Sequence, residues 1–376
     1  MEVSELIWFL SAGFILSNST VLGLVFLVAK SSNRRANIFL GLFFWSIAGN
    51  LLNDLLSEFQ INEGLGVSLF IVEPFLLNLP LLFLYLLATI NKEIRTWHFL
   101  LFLPGVLHNV LIRAGGLFLE EGVTTIFETI VYFLEIVLLV YAYSLLQYHY
   151  KRIANYYSDL ENKTLTWLKS IFALNVLIHL LSISTFIGDL SHMEILEFSI
   201  DTFAIGLTLF MVFWTAYNGF SQPEIFKQHL SLTTHNLGST ETTILKKTRD
   251  VNLEKDVISE LDIQRFNAIK ELIQEQELFT KPKLTLRDLS EVADLKEKEL
   301  SRLINECGQS NFYQLINGYR IEKFKALSET PKAYELSIWG LAMEVGFTSK
   351  SAFFSLFKEH EGMTPLQYQK TQKKSS

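Results

Sequence analysis

The sequence predicts an all-α protein in two parts: an N-terminal seven-helix transmembrane bundle, and a C-terminal domain of two helix-turn-helix units joined by a central helix. Three observations carry this prediction. Charge is unevenly spread: residues 1–240 hold 11 Lys+Arg and 18 Asp+Glu, whereas the shorter stretch 241–376 holds 21 of each. Apolar runs long enough to span a bilayer recur through the first part, and the whole chain is 49% hydrophobic, with 31 Phe and a mean hydropathy of +0.28. After residue 280 the pattern changes to short helices punctuated by turn residues, ending in Gly346-Phe347-Thr348-Ser349-Lys350-Ser351-Ala352-Phe353 and Gly362-Met363-Thr364-Pro365. A lipid-like composition followed by an ordinary soluble one divides the chain into a sensor domain over 1–220, a linker over 221–254 and a reader domain over 255–376.

The N-terminus, Met1-Glu2-Val3-Ser4-Glu5, is acidic, whereas a cleavable signal peptide begins basic. The apolar run Leu6 to Ala29 would extend about 36 Å as a helix, enough to cross a bilayer, and reads as a retained first span. Six more runs follow, over 36–56, 66–90, 97–113, 123–147, 165–187 and 195–217. The fourth is short and interrupted by Pro104 and Gly105, and Pro74 and Pro80 are expected to kink the third. Buried helices of a soluble core would need a polar face, and the first three runs have almost none.

Loop charge sets the orientation. Lys30, Arg34 and Arg35 lie between runs one and two, Lys92 and Arg95 between three and four, and Lys151, Arg152 and Lys163 between five and six. The other side of the bundle carries Arg113 alone. Basic loops stay cytoplasmic, so the N-terminus is expected outside and the C-terminal domain in the cytoplasm of a bacterial inner membrane. Four acids fall within runs: Glu73, Glu128, Glu135 and Asp201, with Asp54 and Glu197 nearer the ends. A carboxylate at mid-bilayer costs about 2.5–3.5 kcal/mol on insertion scales, so such groups face the bundle interior. Glu128 and Glu135, seven apart, share a helix face. Together with His108, His179, Asn78, Asn109 and Asn175 these acids either line a polar sensing pocket or simply hydrogen-bond helix to helix.

The polar stretch over 231–243 has no apolar period and reads as linker. An amphipathic helix over 257–278 follows, with Ile258, Leu261, Phe266, Ile269 and Ile273 on its apolar positions; that face packs either on the following domain or on a second copy. Pro282 stops it. Thr285 and Asp288 form a near capping box at the start of the next helix. A turn at Asp294-Leu295 leads to a helix from Glu297 to Glu306, and two short helices joined by a tight turn make a helix-turn-helix. Asn311-Phe312-Tyr313 opens a longer helix to about Leu327. A second pair runs from Ser337 to Val345 and from Ser349 to His360, with Gly346 supplying the turn.

These residues strongly resemble the arabinose-regulator (AraC/XylS) family of bacterial transcription factors. The resemblance covers about residues 260–370. It rests on the ordered series Leu284-Thr285-Leu286, Leu289, Leu300-Ser301-Arg302-Leu303-Ile304, Phe312, Tyr319-Arg320-Ile321, Ile338, Ala342, Gly346-Phe347, Ser351, Phe353, Phe357-Lys358, Gly362, Thr364-Pro365 and Tyr368. It implies two units held rigidly by the central helix, with both recognition helices on one side of a duplex about 34 Å apart, in successive major grooves. Lys296, Ala352, Ser355, Leu356 and Phe324 depart from the family's usual residues; the first four bear on target sequence, and Phe324, in place of a usual Ala, demands local repacking.

The expected DNA contacts are Lys296, Lys298 and Arg302 along the first recognition helix, Thr348, Ser349, Lys350 and Ser351 at the start of the second, where amides favour phosphate, and Lys358 on the backbone or in support of the fold. For each lysine the competing reading is a solvated helix face, and for Arg302 a salt bridge that ties the domain together. Residues 281–376 carry 15 basic and 12 acidic groups. So small an excess implies modest affinity per copy and reliance on a homodimer or on clustering in the membrane.

The single Cys307 excludes an intrachain disulfide and a cysteine-cluster metal site, and no phosphate loop, zinc-protease or nucleophile motif is present. No enzyme, cofactor or metal is expected. The expected partners are double-stranded DNA, the lipid bilayer and an unidentified small-molecule, lipid or protein stimulus. Two other readings fit the same residues: a precursor whose reader is released by proteolysis in the linker, and a membrane receptor or enzyme whose helical tail binds protein.

Overall fold

The computed structural model describes residues 3–29, 33–58, 73–108, 110, 121–160, 165–191, 194–221, 259–331 and 335–375. Among them regular structure is helical throughout, as expected, apart from one isolated antiparallel bridge between Tyr157 and Thr285. The chain divides into two compact units: Met1–Leu146 with Leu165–His235, and Gln147–Thr164 with Asn236–Ser376. The 221–254 linker lies outside the described residues apart from Ser221.

The first unit contains α1 (Val3–Val28), α2 (Arg34–Glu58), α3 (Asn78–Thr89), most of α4 (Glu121–Ala154), α5 (Thr166–Ser191) and α6 (Glu194–Ser221). Among the described residues, four stretches are long and apolar enough to cross a membrane: Leu6–Val28, Arg34–Leu56, Thr129–Ala154 and Phe203–Ser221. The third run is shorter as helix, its described part being a 3-10 turn Phe75–Leu77 and then α3. Pro80 falls in the first turn of that helix rather than in its interior. It is the third residue of α3, where the amide it lacks has no intrahelical partner to lose. The fourth run starts as a 3-10 helix, Thr96–Phe102, and continues as helix over 103–108; the rest of that run, save residue 110, lies outside the described residues.

Helix α1 packs on α2 and α6, α2 on α3, and α5 on α6. Gly23 and Gly41 let the first two backbones meet: a Cβ on Gly23 would fall 2.2 Å from the Trp45 ring and 3.0 Å from the Gly41 carbonyl. Close approach through small residues suits helix pairs that gain nothing from burying apolar surface against one another in lipid. The core is built from Leu40, Phe43, Phe44, Leu82 and Phe83, all at most 1% exposed. Outward faces are equally apolar, with Leu10, Phe133 and Val140 more than 60% exposed. Apolar surface on that scale is a liability in water and the norm against lipid.

In the second unit each helix start is written by a local cap. Ser259, Thr285, Asn311, Ser337 and Ser349 accept hydrogen bonds from the first-turn amides of α7 (Glu260–Glu275), α8 (Leu286–Val292), α10 (Phe312–Ser328), α11 (Ile338–Glu344) and α12 (Lys350–Glu361). Each such cap contributes about 1 kcal/mol. The anticipated box at Thr285 and Asp288 is complete. Helix α9 (Glu297–Glu306) has Lys296 at its N-cap without a side-chain bond, and α13 (Pro365–Ser375) closes the domain. Phe266, Ile269 and Ile273 of α7 share one core with residues of α8, α9 and α10, whereas Leu261 is 56% exposed and Ile258 lies outside the described residues. A second cluster gathers Ile321, Phe324, Leu341, Val345, Phe347, Phe353 and Phe357. Phe324, flagged as a departure, is fully buried between Phe353 (centroids 4.8 Å) and Phe357 (5.4 Å).

Candidate nucleic-acid interface

Helices α8 and α9 form the first helix-turn-helix, turning at Asp294 with φ +50°. Helices α11 and α12 form the second, turning at Gly346 with φ +95°. Helix α10 joins them, contributing Phe312 and Ile316 to one cluster and Ile321 and Phe324 to the other. One rigid rod with a foot in each core fixes the relative position of the two units.

Several of the expected contact residues point outward. Lys296 and Lys298 are exposed at the start of α9; Thr348, Lys350 and Ser351 are exposed at the start of α12; Lys358 is exposed in the last turn of α12, where its charge suits the helix dipole. Ser349 is different: buried, it caps α12 by accepting from the Ala352 amide. Its hydroxyl is therefore structural, and the amides it leaves at that terminus are the groups available to an anion.

Arg302 is committed elsewhere. Its Nη2 donates to Asp262 Oδ1 at 2.9 Å and its Nη1 to Glu306 Oε2 at 2.9 Å, tying α9 to the capping box of α7. The salt-bridge reading fits this geometry. Hydrogen bonds from Arg302, then from Ser259, hold the Asp262 carboxyl down to about 2. A carboxylate depressed below its unfolded value stabilises the fold above that value, and the contribution fades as pH falls towards the folded pKa. Arg302→Ala is therefore expected to lower the thermal midpoint at neutral pH. It should also flatten the loss of stability between about pH 4 and pH 2, and leave the salt dependence of DNA binding as in the parent. Acid-titrated melting and a binding titration at several salt concentrations check both limbs.

The second unit also contains a segment that in the sequence is only a connection between apolar runs. Residues 156–160, between the fifth and sixth apolar runs, pack on the reader within the second unit. The Ser158 amide donates to the Leu284 carbonyl (3.1 Å) and the Leu286 amide to the Tyr156 carbonyl (2.9 Å). The Asn317 side-chain amide donates to the Ser158 carbonyl (3.0 Å), and the Thr348 hydroxyl donates to Asp159 Oδ2 (2.8 Å). Beneath lies Arg320, 1% exposed, donating to the carbonyls of Phe279 (2.7 Å) and Lys281 (2.9 Å) and to Asn317 Oδ1 (3.1 Å). The signal available in the sequence was the run Tyr156-Tyr157-Ser158-Asp159-Leu160, too aromatic for an ordinary solvated loop.

Of the acids within the apolar runs, Glu73 faces His108 at 4.0 Å and Glu135 is half-buried; the side chains of Glu128, Asp201 and His179, and Asn109 altogether, lie outside the described residues. Asn78 accepts from Ser46 at 2.6 Å, and Asn175 donates to the Ile171 carbonyl and the Met211 sulfur. Both also line a cavity of about 310 Å³ in the first unit, beside Asp54, Asn50, Thr208 and Trp8. In the second unit Glu322, His360 and Glu361 cluster within metal-binding distance. Lys325 already pairs with both carboxylates at 3.1 and 3.0 Å, so an ammonium fills that place.

A helix-turn-helix domain family matches residues 289–371. Among curated proteins, the chain is similar to an uncharacterized HTH-type transcriptional regulator, YdeC, of Bacillus subtilis (strain 168), at 26% identity over 130 residues, which is 35% of this chain and 44% of that one. It is also similar to the melibiose operon regulatory protein of Escherichia coli (strain K12), at 35% identity over 88 residues, 23% of this chain and 28% of the relative. The chain thus spans less than half the length of the curated relatives it matches. No solved structure matches it significantly.

Proposed function

We propose that this protein is a membrane-integrated, sequence-specific DNA-binding transcription regulator that senses a signal through its transmembrane bundle. The observation that carries the reading is the pair of capped helix-turn-helix units on one rigid helix, in the same chain as four helices of spanning length. Seven spans with the N-terminus outside, over 1–220, place the linker and the reader over 255–376 in the cytoplasm, where DNA is; the basic residues of three alternate loops support that orientation. The relatives' printed roles as regulators support the output. Lys296, Lys298, Thr348, Lys350, Ser351 and Lys358 are the proposed DNA contacts, with Ser349 offering its helix terminus and Arg302 holding α9 in place. Glu73 with His108, together with Glu128, Glu135 and Asp201, forms the proposed intramembrane sensing set, and a homodimer raises affinity through avidity.

The test is chromatin immunoprecipitation of the tagged full-length protein with and without cell-envelope stress, followed by footprinting of the recovered promoter by protein still in membranes. Enrichment of discrete sites is expected; none under any stress refutes the reading. With the site in hand, Lys298→Ala with Lys350→Ala should abolish protection at physiological salt. Each lysine removed should lower the slope of log affinity against log salt by about 1. An unchanged slope removes these two residues from the interface.

A further inference from the structure

We propose that residues 153–160 form a detachable strap which, when docked, keeps the reader off DNA, and that the membrane domain signals by releasing it. The proposal rests on the DNA-binding reading above. Docking is specific. Tyr157 pairs with Thr285, and the Ser158 hydroxyl donates to the Leu284 carbonyl at 2.6 Å. Ile153, Ala154, Tyr157 and Leu160 are buried, packing with Tyr313 of the joining helix. Between them these residues engage the first helix-turn-helix through Leu284 and Leu286, the joining helix through Asn317, and the second helix-turn-helix through Thr348. A segment bonded to all three bridges the two reading heads.

The charge that the strap sets beside the reader matters more than how it is held, for Thr348, Lys350 and Lys298 stay exposed with the strap docked. Asp159 places a carboxylate on the Thr348 hydroxyl, next to the N-cap of α12, the terminus whose amides and dipole favour a phosphate. A carboxylate there is an internal substitute for the DNA backbone, and the two anions cannot share the site. Tyr157 lies close enough to Glu297, in the first turn of α9, for that charge to add to burial in raising its phenol pKa. The strap therefore reaches the leading ends of both recognition helices.

The docked state is also separable from the fold of the reader. Arg320 makes its three shorter bonds, 2.7 to 3.1 Å, inside the reader, and its two bonds to Ser158 are the longest, both 3.4 Å. The Asn317 amide likewise keeps the Tyr313 carbonyl at 2.9 Å. Undocking leaves these groups partnered. On its other side the strap continues α4 without a break, because Ile153 and Ala154 are the last two residues of that helix. A rotation or shift of that helix thus becomes tension on the strap. If the strap is docked in about nine molecules of ten, DNA affinity is reduced about tenfold until a signal frees it.

The bridge geometry allows a direct test. Bonds flank the Tyr157–Thr285 pair rather than joining it, the close type of antiparallel pair, with Cα atoms about 4.5 Å apart, within reach of a disulfide. Full-length protein carrying Tyr157→Cys and Thr285→Cys, with Cys307→Ser to remove the native thiol, is placed in lipid nanodiscs. Its binding to a fluorescent random-sequence 40-base-pair duplex at low salt (about 50 mM) is measured oxidised and then reduced. Random duplex reads access to the head groups of the reader without requiring the operator. The oxidised form, held docked, is expected to lose nearly all duplex binding, and reduction to restore the binding of the roughly one molecule in ten that is then undocked. Asp159→Asn in the parent should bind more tightly than the parent. Equal binding before and after reduction, or failure of the disulfide to form, overturns the strap. Absence of duplex binding in every form, reduced included, instead overturns the DNA-binding reading on which it stands.

Discussion

Arg320→Ala should destabilise the reader more than any surface change in this chain, by about 4 kcal/mol. Among the described residues, Arg320 is one of the largest side chains that are fully buried. Burial pushes its guanidinium down to about 10, with Asp159 acting against that shift, so it stays charged at neutral pH. It donates to the Phe279 and Lys281 carbonyls ahead of α8, to Asn317 on α10, and stacks 5.7 Å from the Phe347 ring of the second unit. Truncation leaves the buried Phe279 carbonyl without its donor, at about 1–3 kcal/mol, removes a donor from the part-buried Lys281 carbonyl, and opens a cavity besides. Against a total stability of about 5–15 kcal/mol this is a large fraction. Arg320→Met fills the volume but restores no donor, so it should fall between parent and Ala and separate the two terms. Hydrogen exchange of full-length protein in nanodiscs reads the effect: amides of α8, α9, α11 and α12 should lose protection together, while those of α1 and α2 keep theirs. Unchanged protection of the reader would show that the guanidinium is not what joins these segments.

The reader's helices were legible in the sequence because their starts and stops are local. Thr285 with Asp288, Asn311, Ser337 and Ser349 act on amides three residues away, and Glu297–Glu306 has the bounds that the turn at Asp294 implied. The long bilayer-length helices were legible from composition, although α4 continues to Ala154, past the end of its apolar run. The pairing of Arg302 with Asp262 was not legible in the sequence, because the two lie 40 residues apart. The strap was harder still: Ser158 meets Leu284 across 126 residues and Asp159 meets Thr348 across 189. Its residues sit between two apolar runs, and nothing local distinguishes a loop that binds water from one that binds its own domain, except the density of tyrosine. Arg320 was read as part of a family series, but its burial depends on three carbonyl and amide oxygens that only the tertiary fold brings together.

Gly346→Ala is the other change expected to act strongly, and its effect falls on the register of the two heads. At φ +95° an L-residue is strained, which by itself costs about 1–3 kcal/mol. The new Cβ would also lie 2.6 Å from the Thr280 carbonyl oxygen and 2.8 Å from that of Phe279. Both are backbone atoms in the turn that Arg320 anchors, so neither can swing aside as a side chain would. The second helix-turn-helix must tilt away from the first, or that turn must shift and lengthen the Arg320 bond to Phe279. Either outcome displaces α12 from the position fixed by α10 and spoils simultaneous reading of two grooves. A loss of about 3–5 kcal/mol in reader stability is expected, with specific affinity falling further than non-specific affinity. Gly318→Ala is the matched control: it lies within α10, has nothing within 4 Å of the new Cβ, and should gain up to about 1 kcal/mol from helix propensity. Titrating both variants against the recovered promoter and against random duplex distinguishes misplaced heads from simple unfolding. If Gly346→Ala binds and melts like Gly318→Ala, the turn is more tolerant than its φ and its contacts require.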